Sequence, residues 1–236
     1  MKITKDQLYF FNGESFLIMV LHGENRSTEI LEWHRAVMVE HMELVVNYVV
    51  APFPSISHGL CMNEIIHSTI DSDCKPDYYL FIDNDAIFLK KNCLAFIYDM
   101  VKWKNGIWGC AWQSSHKVGP NGSVQHPYAS QATLCFSREI YEKLGRPNCD
   151  HWFPRSDTAE EITYEAELRG FNVSLMYPSH SVDYTTDLGN GCRYGMGNTY
   201  GENMFYHVSR QDKPESLKLF IEKCKEVLSG KFESKK

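Results

Sequence analysis

The chain has 236 residues, of which 43% are hydrophobic and 23% charged, with a formal net charge of −6. That length suits one well-buried α/β core and is short for two domains, and the composition excludes disordered and fibrous classes. The negative balance argues against a general nucleic-acid binder, because neutralising phosphates takes a basic surface.

The most apolar run, Phe16 to Leu21, is too short to cross a bilayer and lacks the charged leader and small-residue cleavage site of a signal peptide. No transmembrane segment is therefore expected, and a cytoplasmic location is the default. The eight cysteines are scattered singly, with no Cys-x-x-Cys pair to suggest zinc or redox chemistry, and read as small buried hydrophobes. Asn25, Asn121 and Asn172 head glycosylation sequons that would matter only in the secretory pathway.

Apolar runs and helical stretches alternate from the start, the signature of a mostly parallel sheet flanked by helices. Phe16 to Leu21 is the first buried strand. A polar loop, His22 to Arg26, leads to a helix capped by Ser27 or Thr28, with Ile30, Trp33 and Val37 on its inner face. Leu44 to Val50 is a strand rich in β-branched residues, ended by Pro52 and Pro54. Ser57 to Ile70 is a helix, and Tyr78 to Ile82 a strand running into Asp83. Leu94, Ile97 and Val101 mark the next helix, followed by a strand over Gly106 to Trp112.

The polar stretch Gln113 to Gln125 reads as a mobile loop. Beyond it come a strand near Ala132 to Phe136, a short helix from Arg138 to Leu144, a helix from about Thr158 to Arg169, and a last strand from Phe171 to Met176. Asp187 to Tyr206 holds five glycines and is expected to be a mobile loop that orders on ligand. A C-terminal helix over about 212–229 is announced by Asp212, Pro214 and Glu215, with Leu217, Phe220, Cys224 and Val227 facing inward. With no repeat and no linker, a single domain is expected.

In open α/β sheets, ligands bind beyond the carboxyl ends of the strands, where Asp83 and Asp85 stand. Two carboxylates one residue apart form a hard-oxygen site suited to Mg2+ or Mn2+, which would neutralise charge building on a diphosphate leaving group. Asp and Asn also favour plain turns, and Asp71-Ser72-Asp73 has the same spacing at a helix end with no strand before it; that pair reads as a solvated turn.

The helix Ser57 to Ile66 leading to Asp77-Tyr78-Tyr79-Leu80-Phe81-Ile82-Asp83-Asn84-Asp85 resembles the centre of GT-A-fold nucleotide-sugar glycosyltransferases, especially the family 2-like group. Further stretches match in order. Val20 to Ser27 resembles the first strand and base-binding loop, Ala132 to Gly145 the strand–helix unit on the acceptor side, and Ser156 to Glu161 with Gly170 to Val173 the acidic motif, helix and following strand. The resemblance covers roughly residues 15–185.

It implies an α/β, GT-A-like (Rossmann-like), mostly parallel sheet flanked by helices in one domain. A nucleotide-sugar-binding half would span 15–113 and an acceptor-side half 126–210. The implied activity is transfer of a sugar from a UDP- or GDP-linked donor to the hydroxyl of a glycan or other acceptor, by inversion. His22, Glu24, Asn25, Arg26, Asn63, Asp83, Asn84, Asp85 and Arg193 would serve the donor.

Asp83 and Asp85 would hold the metal, with His180, Asp183 or Tyr184, or His207 as a third ligand; of these, His207 is the one assigned. Asp157, Glu160 and Glu161 compete for general base, Asp157 first and Glu160 next. The acidic motif departs from the usual adjacent pair, which leaves open a non-catalytic binding module of the same fold. Trp112, Gln113, His126 and Tyr128 flank the mid-chain loop as candidate acceptor contacts. A haloacid dehalogenase-like phosphatase fits less well, because its motif stands near the N-terminus and is followed by Thr, where this chain has Ala86-Ile87. A nucleotidyltransferase would want a glycine-rich basic loop after the first strand, which His22 to Ser27 is not.

Overall fold

The computed structural model describes residues 3–23, 27–51, 57–114, 126–151, 156–189, 192–209 and 213–233, with backbone only for 51, 184–189 and 192–193. Its main sheet has seven strands: β1 (Tyr9–Phe11), β2 (Glu14–Gly23), β3 (Val46–Ala51), β4 (Tyr78–Asp83), β6 (Gly106–Gln113), β7 (Pro127–Ser137) and β8 (Asn172–Met176). In space the order is β2-β4-β7-β6-β8, with β1 and β3 sharing the outer edge of β2. The β2–β3, β2–β4 and β6–β8 pairs are parallel, while β7 runs antiparallel to both its neighbours and β1 to β2. The sheet is thus mixed, with its parallel nucleus where Asp83 stands.

Both faces of this sheet are covered, which is why its central strands are apolar throughout rather than alternating with polar residues. Phe16, Ile18 and Val20 of β2, with Leu80 and Ile82 of β4, pack in one core; Leu17, Met19 and Leu21, with Tyr79 and Phe81, pack in the other. Helices α2 (His58–Ile70), α4 (Arg138–Lys143) and α5 (Glu160–Leu168) supply buried residues to the second core. Helices α1 (Thr28–Arg35), α3 (Cys93–Lys104) and α6 (Pro214–Leu228) supply the first. Ser57, read from the sequence as the first residue of this helix, is its cap, with the hydroxyl accepting from the Leu60 amide.

Two sequence expectations are corrected. Phe171 to Met176 is not the last strand, and the glycine-rich stretch is not a mobile loop. β9 (Pro178–Gly189), β10 (Cys192–Tyr200) and β11 (Phe205–Val208) form, with β5 (Ala86–Phe88), a second, antiparallel four-stranded sheet ordered β5-β11-β10-β9. The glycines serve close approach here. A Cβ at Gly195 would collide with the Val182 backbone carbonyl, so only glycine lets β9 and β10 meet there, while one at Gly197 would press on the Tyr206 hydroxyl at the tip of its side chain. The mid-chain loop falls on 115–125, outside the described residues.

The second sheet springs directly from the first. β4 ends at Asp83, Asn84 and Asp85 make a tight turn, and the chain re-enters as β5 against β11. Beneath β5, α1 continues into a single wider π-helical segment, Ala36–His41. Its Met38 sulfur accepts the Phe88 amide at 3.3 Å.

Candidate metal centre and catalytic cleft

Asp83, Asp85 and His207 converge at the joint between the two sheets. One ligand atom from each lies within 4.8 Å of the others. β4 brings Asp83 beside Leu21 of β2, the turn brings Asp85, and the β5–β11 register sets His207 opposite Ala86. The Val208 amide donates to the Asp85 carbonyl at 3.1 Å and clamps the turn to β11. Asn84, 3% exposed, faces the equally buried His22, with its Nδ2 2.6 Å from His22 Nδ1.

The electrostatics are those of a crowded anionic site. Burial and then the Asp85 charge hold the Asp83 carboxyl above the usual carboxylate range, partly offset by His58 and His207. For His207, burial pulls the imidazole down, but the Asp85 carboxylate, seconded by Asp83, outweighs it and the net shift is upward. Among the described residues Asp85 Oδ1 is buried without a hydrogen-bond partner, and His207 Nε2 stands 3.4 Å from it, long for a charge-assisted hydrogen bond. An orphaned, buried carboxylate oxygen is costly unless a cation satisfies it. Two carboxylates and one imidazole therefore fit a divalent ion, and the nitrogen favours Mn2+ over the more strictly oxygen-seeking Mg2+.

On the other side of β4, Tyr128 of β7 is buried. Burial first, and then the charges of Asp157, Glu160 and Asp83, push its phenol up, so one ring lies within electrostatic reach of both acidic groups. Glu160 is wholly buried: Oε2 accepts the Asp157 amide at 2.6 Å and Oε1 the Tyr164 hydroxyl at 2.5 Å. Ala159 between them is left-handed, with φ of 64°, which turns the chain sharply into α5. Glu161 instead accepts from the Asn148 backbone.

The remaining sequence candidates distribute as follows. Asn63 lies on α2 and is engaged with the 148–149 segment, its Nδ2 donating to Asn148 and its Oδ1 accepting the Cys149 amide at 2.9 Å. His180 and Asp183 are exposed on β9 and are not in the Asp83–Asp85–His207 cluster. Arg193 is paired through its backbone with Asp187, and its side chain is outside the described residues, as are Glu24, Asn25 and Arg26 entirely. Trp112 is half-buried and stacks edge-on to Tyr194 at 3.9 Å, while His126 meets Glu167 at 2.6 Å. Asp71 of the second Asp-x-Asp pairs with Arg146 in an exposed salt bridge, as suits a solvated turn.

Four residues of this region carried no sequence signal. His58, whose charge acts on Asp83, opens α2 and reads in the sequence as one more residue of that helix. Tyr194, with its hydroxyl 2.9 Å from His207 Nδ1, and its neighbour Tyr200 fell in the stretch read as a loop. His34, fully buried behind the Asp85 turn, looked like one more residue of an amphipathic helix.

No family model matches the chain, and no curated protein does. Among solved structures, the catalytic domain of Drosophila β1,4-galactosyltransferase 7 with xylobiose is similar at 16% identity over 83% of this chain and 71% of that one, with a TM-score of 0.46. A mutant of the same enzyme with manganese, UDP-Gal and xylobiose gives 17%, 82% and 71%, and a TM-score of 0.45. A mannosyltransferase from Pyrobaculum calidifontis with GDP-Man and Mn2+ is similar at 12% identity, over 67% of this chain and 54% of that one, with a TM-score of 0.42.

Proposed function

We propose that the chain is a metal-dependent glycosyltransferase of the GT-A type. It would move a sugar from a UDP- or GDP-linked donor to the hydroxyl of a glycan or other acceptor, with inversion. The observation that carries the reading is the Asp83–Asp85–His207 cluster, with its orphaned Asp85 oxygen, at the carboxyl end of a central parallel strand. When bound there, Mn2+ or Mg2+ supplies Lewis-acid neutralisation of the departing diphosphate.

The protein's own residues divide the remaining work. Asp157 takes the proton from the acceptor hydroxyl. Glu160 is a poor candidate for that role, because both its oxygens already accept hydrogen bonds. Asn84 and His22 fix the turn that carries the two carboxylates. His22 to Arg26 and the 15–113 half would hold the nucleotide, the 126–210 half the acceptor, and Arg193 would approach the diphosphate. A cytoplasmic setting agrees with the free state of the seven cysteines whose side chains are described, and no helix of the described residues is long and apolar enough to cross a membrane. A non-catalytic binding module would share the metal centre but not need Asp157.

The test is a thermal-shift and turnover screen with UDP-Gal and GDP-Man first, with and without Mn2+, on wild type, Asp85→Ala and Asp157→Asn. A ligand that binds only the folded state raises the midpoint by mass action. The reading expects Mn2+-dependent stabilisation lost in Asp85→Ala. It also expects binding retained without turnover in Asp157→Asn. Stabilisation without turnover by the wild type across a panel of saccharide acceptors would favour the binding module. No metal-dependent response to any nucleotide sugar would sink both.

A further inference from the structure

His207 can serve a cation at Nε2 only if its neutral ring keeps the proton on Nδ1, and the surroundings of Nδ1 bear on that choice. Tyr194 of β10 lies with its hydroxyl 2.9 Å from Nδ1. It is 1% exposed and braced edge-on against Trp112. A phenol oxygen can accept as well as donate, and Tyr200, another fully buried phenol, stands within electrostatic reach of Tyr194. In the tautomer that frees Nε2 for a cation, the group facing the Tyr194 oxygen is Nδ1–H of His207, which it can accept. The lone pair of Nε2 is thereby turned toward the side where Asp85 Oδ1 waits at 3.4 Å.

We infer that Tyr194, backed by Tyr200, is a positioning residue that selects the metal-binding tautomer of His207. Of the three proposed cation ligands, His207 is the one whose ring faces the Tyr194 hydroxyl at hydrogen-bond distance, while Asp85 and Asp83 act on that phenol through their charge. The inference rests on the metal reading above, and the experiment separates the two.

Mn2+ affinity is measured by calorimetry or by the electron paramagnetic resonance of free Mn2+, on wild type, Tyr194→Phe, Tyr200→Phe, His207→Ala and the double variant Tyr194→Phe/His207→Ala. Thermal midpoints without Mn2+ check folding. Tyr194→Phe keeps the ring on Trp112 and loses only the hydroxyl. It is expected to bind Mn2+ about 10–100-fold more weakly, the usual effect of losing an outer-shell partner of a metal histidine. Tyr200→Phe is expected to weaken binding in the same direction by less, and it stands in if Tyr194→Phe does not fold.

The double variant should bind no more weakly than His207→Ala, because the tyrosine has nothing left to position. Wild-type affinity in Tyr194→Phe, or losses that multiply in the double variant as a merely structural role would give, overturns the inference. Wild-type affinity in His207→Ala removes His207 from the metal site, and the metal reading fails together with this one.

Discussion

His34 offers a test of the scaffold behind the metal centre that needs no ligand. Its ring is wholly buried, Nδ1 lies 2.9 Å from the Tyr48 hydroxyl, and Nε2 finds no hydrogen-bond partner among the described residues. Burial drives its pKa down from 6.5 to about 4, with the Ala86 backbone and the Asp85 charge pulling only partly the other way. The folded protein therefore keeps the ring neutral between those values while the unfolded chain takes up a proton. Below pH 6.5 the unfolded state binds more protons, so stability falls as the pH falls, and the loss is complete below about 4. Each pH unit across that window contributes roughly 1.4 kcal/mol, so the whole loss is about 3 kcal/mol. His34→Phe keeps a ring of similar size that cannot titrate. Urea unfolding at pH 7.5 should find the variant less stable by about 1 kcal/mol, for the lost hydrogen bond to Tyr48. At pH 4.5 the order should reverse, with the variant about 1–2 kcal/mol more stable, since most of the loss has by then accrued to the wild type. A gap between the two proteins that stays constant across the pH range would refute the reasoning, as would a His34 NMR titration near 6.5.

Three further outcomes follow from the same structure. Because the Asp83 and His207 pKa values are both raised, protons compete with Mn2+ for the cluster, so Mn2+ affinity should fall as the pH drops, which calorimetry across a pH series would register; affinity that does not change with pH would count against the cluster as the metal site. Glu160→Gln should lower kcat through Asp157 with little change in donor KM, and Tyr164→Phe should do so more mildly, whereas Asp157→Asn should cost about 10²–10⁴-fold; equal losses in Glu160→Gln and Asp157→Asn would instead make Glu160 a base. Gly195→Ala should destabilise by about 1–3 kcal/mol, read by urea unfolding, since the added methyl meets the Val182 carbonyl and the strand cannot step back while Asn198 and Ser209 bond its backbone.

What could be read from the sequence was whatever local periodicity encodes. Phe16 to Leu21 and Tyr78 to Ile82 are continuous apolar runs because both faces of the sheet are covered, and both are strands. Ser57 caps α2 and Pro214 opens α6 because capping chemistry is local. The second sheet was illegible for the opposite reason. Gly195 and Gly197 look like hinge residues until the strands opposite them are known, and those partners, Val182 and Tyr206, are fixed by tertiary contact. The site followed the same division. Asp83 and Asp85 announce themselves at a strand end, but nothing near His207 in the chain distinguishes it from His180, and only the β5–β11 register brings it across. Glu160 and Asp157 are three residues apart and equally acidic, and nothing in the chain announces that Glu160 is buried with both its oxygens accepting, one from Tyr164 and one from the Asp157 amide.

The placement of the three cluster residues has a consequence for how the fold holds itself together. Asp83 belongs to the main sheet, His207 to the second, and Asp85 to the turn joining them, so the two sheets meet where two neighbouring carboxylates and an imidazole converge. Without a cation, the joint is held by the Val208–Asp85 backbone bond, by His22 on Asn84 and by the π segment under β5, with His207 Nε2 no closer to Asp85 Oδ1 than 3.4 Å. These contacts fix the backbone of the turn while leaving one Asp85 oxygen unsatisfied, so the cost of burying that oxygen is met by surrounding packing. Such a site is preorganised: a cation finds its ligands already within 4.8 Å of one another and need not gather them from a floppy loop. The glycine-rich strands are part of that preorganisation. Gly195 lets β10 lie close against β9, and the regular pairing of β10 with β11 holds the Tyr194 hydroxyl 2.9 Å from His207 Nδ1.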